Sequence, residues 1–254
     1  MPVIFVSHGA PTLLTDGTKA EKFFRDLPDS FGRPKGILAV SAHWETKEFT
    51  VSTINKQKTI YDFYGFPEEL YRFRYEPDGA PELALRTKEL LETAGIKTET
   101  EERGLDHGAW VPLYCMYPKA DIPVTQLSIK KGASPAEFIE AGRVLSALSD
   151  EGYLILASGS TTHNLADFGR FARHAEATEY AVLFDEWLDR AVQSGDTDML
   201  MKYREAAPES YRNHPTDDHF VPLLVAAGAG GGKGVKLHEE FVYGFLSLSA
   251  YRWD

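Results

Sequence analysis

The segment HPTDDHFVPL at residues 214–223 sets two imidazoles, His214 and His219, five positions apart around Asp217 and Asp218, just before an apolar run. Imidazole binds Zn, Fe, Cu and Ni and also carries protons near neutral pH. Three further histidines follow apolar runs that read as strands: His8 after VIFVS, His43 after ILAVSA and His163 after LILASGSTT. Their neighbours are small, namely Ser7 and Gly9, Ala42, and Thr161 and Thr162, which leaves room for an ion or a substrate. His107 lies in LDHGAW. Each histidine alone has an ordinary reading as a hydrogen-bonded structural residue in a loop. Four of only eight histidines at sheet edges or a helix start instead favour one metal site built from His8, His43, His163 and His219.

The remaining histidines are less suggestive. His174 in FARHAE and His238 in KLHEE lie among charged residues and are expected at a solvated surface, and Pro215 places His214 in a loop. The single Cys115, in VPLYCMYP, reads as a small buried hydrophobe, so no thiolate set exists for a structural zinc. A histidine-built site would then keep an open coordination position. Asp106 beside His107, and Asp217 and Asp218 before His219, are either loop carboxylates or hydrogen-bond partners that hold imidazole tautomers.

The elements that would carry these residues alternate. PVIFVS (2–7), GILAVSA (36–42), IPVTQLSI (122–129) and YLILASGS (153–160) are apolar runs typical of strands covered on both faces. FTVSTI reads as a further strand and IKTETEE as an exposed one. Helical spacing recurs in KAEKFFRDL, in residues 80–95, in AWVPLYCMYP, in residues 134–152 with Ser134 as N-cap and Pro135 at the first position, across 177–204, and in HFVPLLVAAGAG. FVYGFLSLSAYRW is expected to return as a last strand. This order predicts an α/β fold: a three-layer α/β/α arrangement with a mostly parallel or mixed central sheet, in one domain over residues 1–254. The glycine-rich AGAGGGKG at 227–234 follows a helix and has Gly234 where a phosphate loop needs Ser or Thr, so a flexible turn is the better reading.

The chain has 254 residues, a net charge of −11 and 43% hydrophobic residues, enough for one substantial core. No basic face is evident, so a nucleic-acid partner is not expected. There is no charged-then-apolar leader and no apolar run near the roughly 18 residues of a spanning helix, so a cytoplasmic location without membrane attachment is expected. No pattern fixes an oligomeric state.

Six strings in order, SHGAP (7–11), SAHW (41–44), YDFYGFP (61–67), GLDHGAWVPL (104–113), SGSTTHNL (158–165) and HPTDDHFVPL (214–223), together resemble the class III extradiol ring-cleavage dioxygenases, in the small DOPA 4,5-dioxygenase-like branch. The resemblance spans nearly the whole chain. It implies an oxidoreductase that opens a catechol ring beside a hydroxylated carbon, with a small aromatic diol and O₂ as partners and one divalent metal ion per chain. Fe(II) would serve ring cleavage, and Zn(II) could occupy the same site. On the matching positions His8, His43 and His219 become direct ligands, His163 a fourth ligand or close neighbour, and His107 the acid/base, a role His163 could share. Relatives in the broader superfamily use two histidines and a carboxylate; here His219 takes the carboxylate's place, leaving the ion at +2. The aromatics Tyr61, Phe63, Tyr64 and Phe66 are either core or a wall for a flat ring, whereas Trp44 and Trp110 read as core. Competing readings are a zinc hydrolase, which no HExxH string supports, and a non-catalytic metal- or small-molecule-binding protein.

Overall fold

Along β1 (Val3–Ser7), Val3 and Phe5 enter one apolar layer while Ile4 and Val6 enter another, the period-two outcome of a strand covered on both sides. A computed structural model describes residues 1–254 and shows how the other strands join it. They are β2 (Ile37–Thr46), β3 (Phe49–Ser52), β4 (Thr98–Glu101), β5 (Val124–Lys130), β6 (Leu154–Gly159), β7 (Val235–His238), β8 (Phe241–Val242), β9 (Leu246–Ser247) and β10 (Ala250–Trp253). Eight of them form one sheet in the order β4-β3-β5-β2-β6-β1-β10-β7, and β8 and β9 pair separately. The central strands β5, β2, β6 and β1 run parallel, as do β3 and β4. The pairings β3 with β5, β1 with β10 and β10 with β7 are antiparallel.

Helices cover both faces, as expected for an α/β/α sandwich. The helices Pro81–Thr93, Pro135–Leu145, Glu179–Ser194 and Val221–Gly230 pack on the layer that holds Phe5, Leu38, Val40 and Ile155. Lys19–Asp26 and His107–Met116 pack on the layer of Ile4, Val6, Ile37, Ala39 and Leu156. At the start of Pro135–Leu145 the Ser134 hydroxyl accepts from the Glu137 N–H and the Glu137 carboxylate accepts from the Ser134 N–H, so two otherwise unpaired helix-end donors are satisfied. No helix is long and apolar enough to cross a membrane.

Three local expectations are corrected. The helix across 177–204 stops at Ser194, where Gly195 takes a left-handed φ of 73°, and resumes as two short pieces, Thr197–Met201 and Tyr203–Ala206. The segment 241–253 is not one strand: Tyr243 and Gly244 have positive φ, fold β8 onto β9, and leave β10 to enter the main sheet. KLHEE contains the end of β7, and His238 stacks on Phe23 at 4.8 Å with planes 14° apart, so its ring is half-buried instead of solvated. Charged neighbours hid an edge strand that has one face against the core.

Candidate metal centre

Because β1, β2 and β6 are parallel and in register, Val6 and Ser41 both standing opposite Ser158, their carboxyl ends finish at one rim. His8 follows β1 directly, and its N–H donates to the Gly159 carbonyl at 3.0 Å. β2 runs on to Thr46, so His43 lies within it, in the stretch between Val40 and Glu45 where the register with β5 shifts. His219 sits just before the helix Val221–Gly230, and its carbonyl accepts from the Ser160 N–H at 2.8 Å. A Cβ at Gly159 would stand 2.2 Å from that same oxygen, so only glycine allows the helix start to close onto β6.

Three ring nitrogens meet there. His43 Nε2 lies 3.0 Å from His8 Nε2 and 3.2 Å from His219 Nε2. The far side of two rings is fixed by hydrogen bonding. Ser158 Oγ donates its only hydrogen to the Gly108 carbonyl, so His8 Nδ1, 3.0 Å from Oγ, is the donor in that contact. His219 Nδ1 donates to Asp218 Oδ2 at 2.5 Å. In their neutral forms both rings therefore aim an Nε2 lone pair at His43, and a single proton on His43 Nε2 could satisfy only one of them.

Such facing lone pairs are costly when buried, and His8 and His219 are 2% and 5% exposed. A cation resolves the conflict. For metal–nitrogen bonds of about 2.1 Å, neighbouring octahedral ligands are about 3.0 Å apart and tetrahedral ones about 3.4 Å, so the two edges from His43, to His8 and to His219, suit a divalent ion. Electrostatics agree. Burial first, then the neighbouring imidazoles His43, His107 and His219, push His8 well below its usual range. Burial and His163 do the same to His219, against the pull of Asp218. Burial and His107 bring His43 down to about 4. Neutral imidazole is the form that binds metals.

His107 and His163 flank this trio differently. His107 opens the helix His107–Met116, and its ring lies 3.9 Å from that of His43, centre to centre. One ligand atom each from His8, His43 and His107 lie within 4.8 Å of one another. His163 instead lies flat on His219, with centroids 3.5 Å apart, and burial lowers its pKa to about 4. His214 is separate: fully buried against Phe184 and Phe220, its Nε2 donates to the Thr161 carbonyl at 2.8 Å and so anchors the loop that carries His163.

The carboxylates sort in ways that chain proximity does not predict. Asp218 holds His219, but Asp217 takes the Tyr203 hydroxyl at 2.6 Å and pairs with Arg204. Asp106 does not touch the His107 ring; it caps the helix and binds Ser41 Oγ, Gln126 Nε2 and Arg103. The residue missed in the sequence is Asp62, in YDFYGFP: its Oδ1 accepts from the His107 N–H at 2.9 Å and its Oδ2 lies 3.0 Å from His107 Nδ1. Only its place inside an aromatic string could have drawn notice. Burial would raise the Asp62 pKa, yet hydrogen bonding and charge from His107, then His43, lower it. Of the aromatics, Phe63 meets the His107 ring edge-on at 5.7 Å, while Tyr64 is 92% exposed. Trp44 and Trp110 are buried, and burial lifts the Cys115 thiol to about 12, leaving it inert.

Fold and donor set define a class: an α/β/α protein whose sheet rim gathers imidazoles in the manner of a mononuclear metalloenzyme. The chain belongs to the family of the catalytic LigB subunit of aromatic ring-opening dioxygenase, which matches residues 2–252. It is 41% identical over 256 residues to the 4,5-DOPA dioxygenase extradiol of Beta vulgaris, covering 98% of this chain and 95% of the relative. To the protein of the same name from Escherichia coli (strain K12) it is 37% identical over 238 residues, covering 92% and 86%. The fold is similar to a crystal structure of an uncharacterized protein from Escherichia coli K12, with a TM-score of 0.83, 32% identity and full coverage of both chains. The chain is accordingly a ring-cleaving oxidoreductase of a metal-dependent family.

Proposed function

We propose that residues 1–254 form one catalytic domain of an extradiol dioxygenase, which opens the ring of DOPA or another substituted catechol beside a hydroxylated carbon and inserts both atoms of O₂. One divalent ion per chain would be held by His8, His43 and His219, with Fe(II) as the form active in cleavage and Zn(II) able to fill the same place. The convergence of three Nε2 atoms, two of them fixed as acceptors by Ser158 and Asp218, carries this reading. When bound, Fe(II) supplies the redox contact between the diol oxygens and O₂.

The protein's own residues do the rest. His107, beside His43 but held by Asp62, is placed to take a proton from the diol and return it as the ring opens. His163 backs His219 and offers a second neutral imidazole. Phe63 at the edge of His107 gives apolar contact to a flat ring. His8, His43 and His219 would hold the ion, which would supply the redox contact while these neighbouring residues handle the proton and the ring.

The test is oxygen uptake. Protein loaded anaerobically with Fe(II), then given L-DOPA or catechol and air, is expected to consume one O₂ per diol and turn yellow. No uptake across a panel of catechols would overturn the reading. The grouping of His8, His43 and His107 as ligands is separated by metal content: His107→Ala is expected to keep its ion and His219→Ala to lose it.

A further inference from the structure

We propose that Asp62 is the positioning residue that sets the His107 tautomer, fixing hydrogen on Nδ1 and leaving Nε2 as the free base; this rests on the reading of His107 as the proton carrier. Asp62 comes from the long connection between β3 and the helix Pro81–Thr93, forty-five residues before His107, so its approach is a product of folding alone. Its two oxygens grip two parts of one residue. Oδ1 accepts from the His107 main chain at 2.9 Å, which fixes the helix start, and Oδ2 lies 3.0 Å from Nδ1, off the line of an in-plane N–H but near enough for a small turn of the ring to pair them. The same Oδ2 is 3.6 Å from His43 Nδ1, so one carboxylate faces both a proposed ligand and the proposed acid/base.

An ionised carboxylate only accepts, so the ring nitrogen facing it carries the hydrogen. No other acid can do this. Asp106, the nearest in sequence, has its oxygens occupied by Ser41, Ala109, Gln126 and Arg103. Without Asp62 the ring would be free to present Nε2–H, which cannot accept the diol proton.

Asp62→Asn isolates the effect. The amide oxygen still accepts from the His107 N–H, but the amide nitrogen now offers hydrogen to Nδ1 and drives the ring hydrogen to Nε2. The Zn(II)-loaded protein, labelled with ¹⁵N-histidine, is read by ¹H–¹⁵N NMR, with the His107 signals identified by their loss in His107→Ala. The wild type is expected to show Nδ1–H and the variant Nε2–H. In the Fe(II) enzyme with L-DOPA, the variant is expected to keep its metal content and to hold KM within about threefold while kcat falls roughly 10²–10⁴-fold. Combined with His107→Ala it is expected to add no further loss, because a residue acting through another is silent once that one is gone. Nε2–H in the wild type, an unchanged kcat in Asp62→Asn, or losses that multiply in the double variant would each overturn the proposal. Should the wild type show no uptake with any catechol, the dioxygenase reading fails separately, and the NMR tautomer still decides what Asp62 does.

Discussion

The imidazole of His163 lies parallel to that of His219, with centroids 3.5 Å apart and planes 8° from one another. The stacked ring would thus support His219, a proposed ligand, from its face. His163→Phe, which keeps a flat ring and removes both nitrogens, is expected to retain the ion and lose turnover by roughly 10–100-fold. His163→Ala removes the stack as well and is expected to weaken metal binding by roughly 2–10-fold, in line with about 0.5–1.5 kcal/mol for a stacked pair. Chelator competition on both variants checks this.

Asp218 and Asp217 are adjacent but serve different ends. Asp218 receives the hydrogen of His219 Nδ1 and returns a negative charge next to an all-imidazole site, whereas Asp217 ties Tyr203 and Arg204 together. Although burial alone would raise the Asp218 pKa, the hydrogen bond it accepts from His219 pulls it well below the usual range. Asp218→Asn is expected to lower metal affinity roughly 10–100-fold. Asp217→Asn is expected to leave affinity unchanged and cost about 1 kcal/mol of stability. Isothermal titration with Zn(II) and urea melts separate the two.

Gly108 lets the helix His107–Met116 touch the site. A Cβ there would meet Ser41 Oγ at 2.5 Å, His43 Cδ2 at 2.9 Å and His8 Cε1 at 3.3 Å. Gly108→Ala is expected to cost about 1–3 kcal/mol by overpacking and to weaken metal binding, since two of the three displaced groups are proposed ligands. Unchanged melting and unchanged affinity would show that the helix shifts freely.

Acid should destabilise the metal-free protein. Unfolded histidines take up protons near pH 6.5, but in the fold burial holds His43 and His163 at about 4, and His214 at about 3 despite the favourable bond to the Thr161 carbonyl. Between about 3 and 6.5 the unfolded chain thus binds more protons, so this contribution to stability is complete above 6.5 and is lost as pH falls through that window. The urea midpoint of the metal-free protein is expected to drop between pH 7.5 and pH 5. His214→Gln, which can keep a donor to the Thr161 carbonyl, should flatten that dependence, and equal midpoints at the two pH values would contradict it.

Much of the architecture is visible in local pattern. The apolar runs before His8, His43 and His163 are the central parallel strands β1, β2 and β6, because strands covered on both faces must be apolar throughout. Ser134, Pro135 and Glu137 announce a helix start because capping needs only neighbours in sequence. Legibility fails where long-range contacts outweigh local preference. Gly195 ends a helix that amphipathic spacing alone would continue, and β7 owes its place to pairing with β10.

The same division runs through the site. Sequence alone supplied the histidines and the strand ends that bear them, since parallel strands must deliver their carboxyl ends to a common rim. Folding decided the partners: Ser158 for the His8 ring, Asp218 in place of Asp217 for the His219 ring, and Asp62 in place of Asp106 for the His107 main chain, with its second oxygen beside the ring. Hydrogen-bond geometry depends on ångström-scale placement of groups from separate segments, and neighbours along the chain need not point the same way.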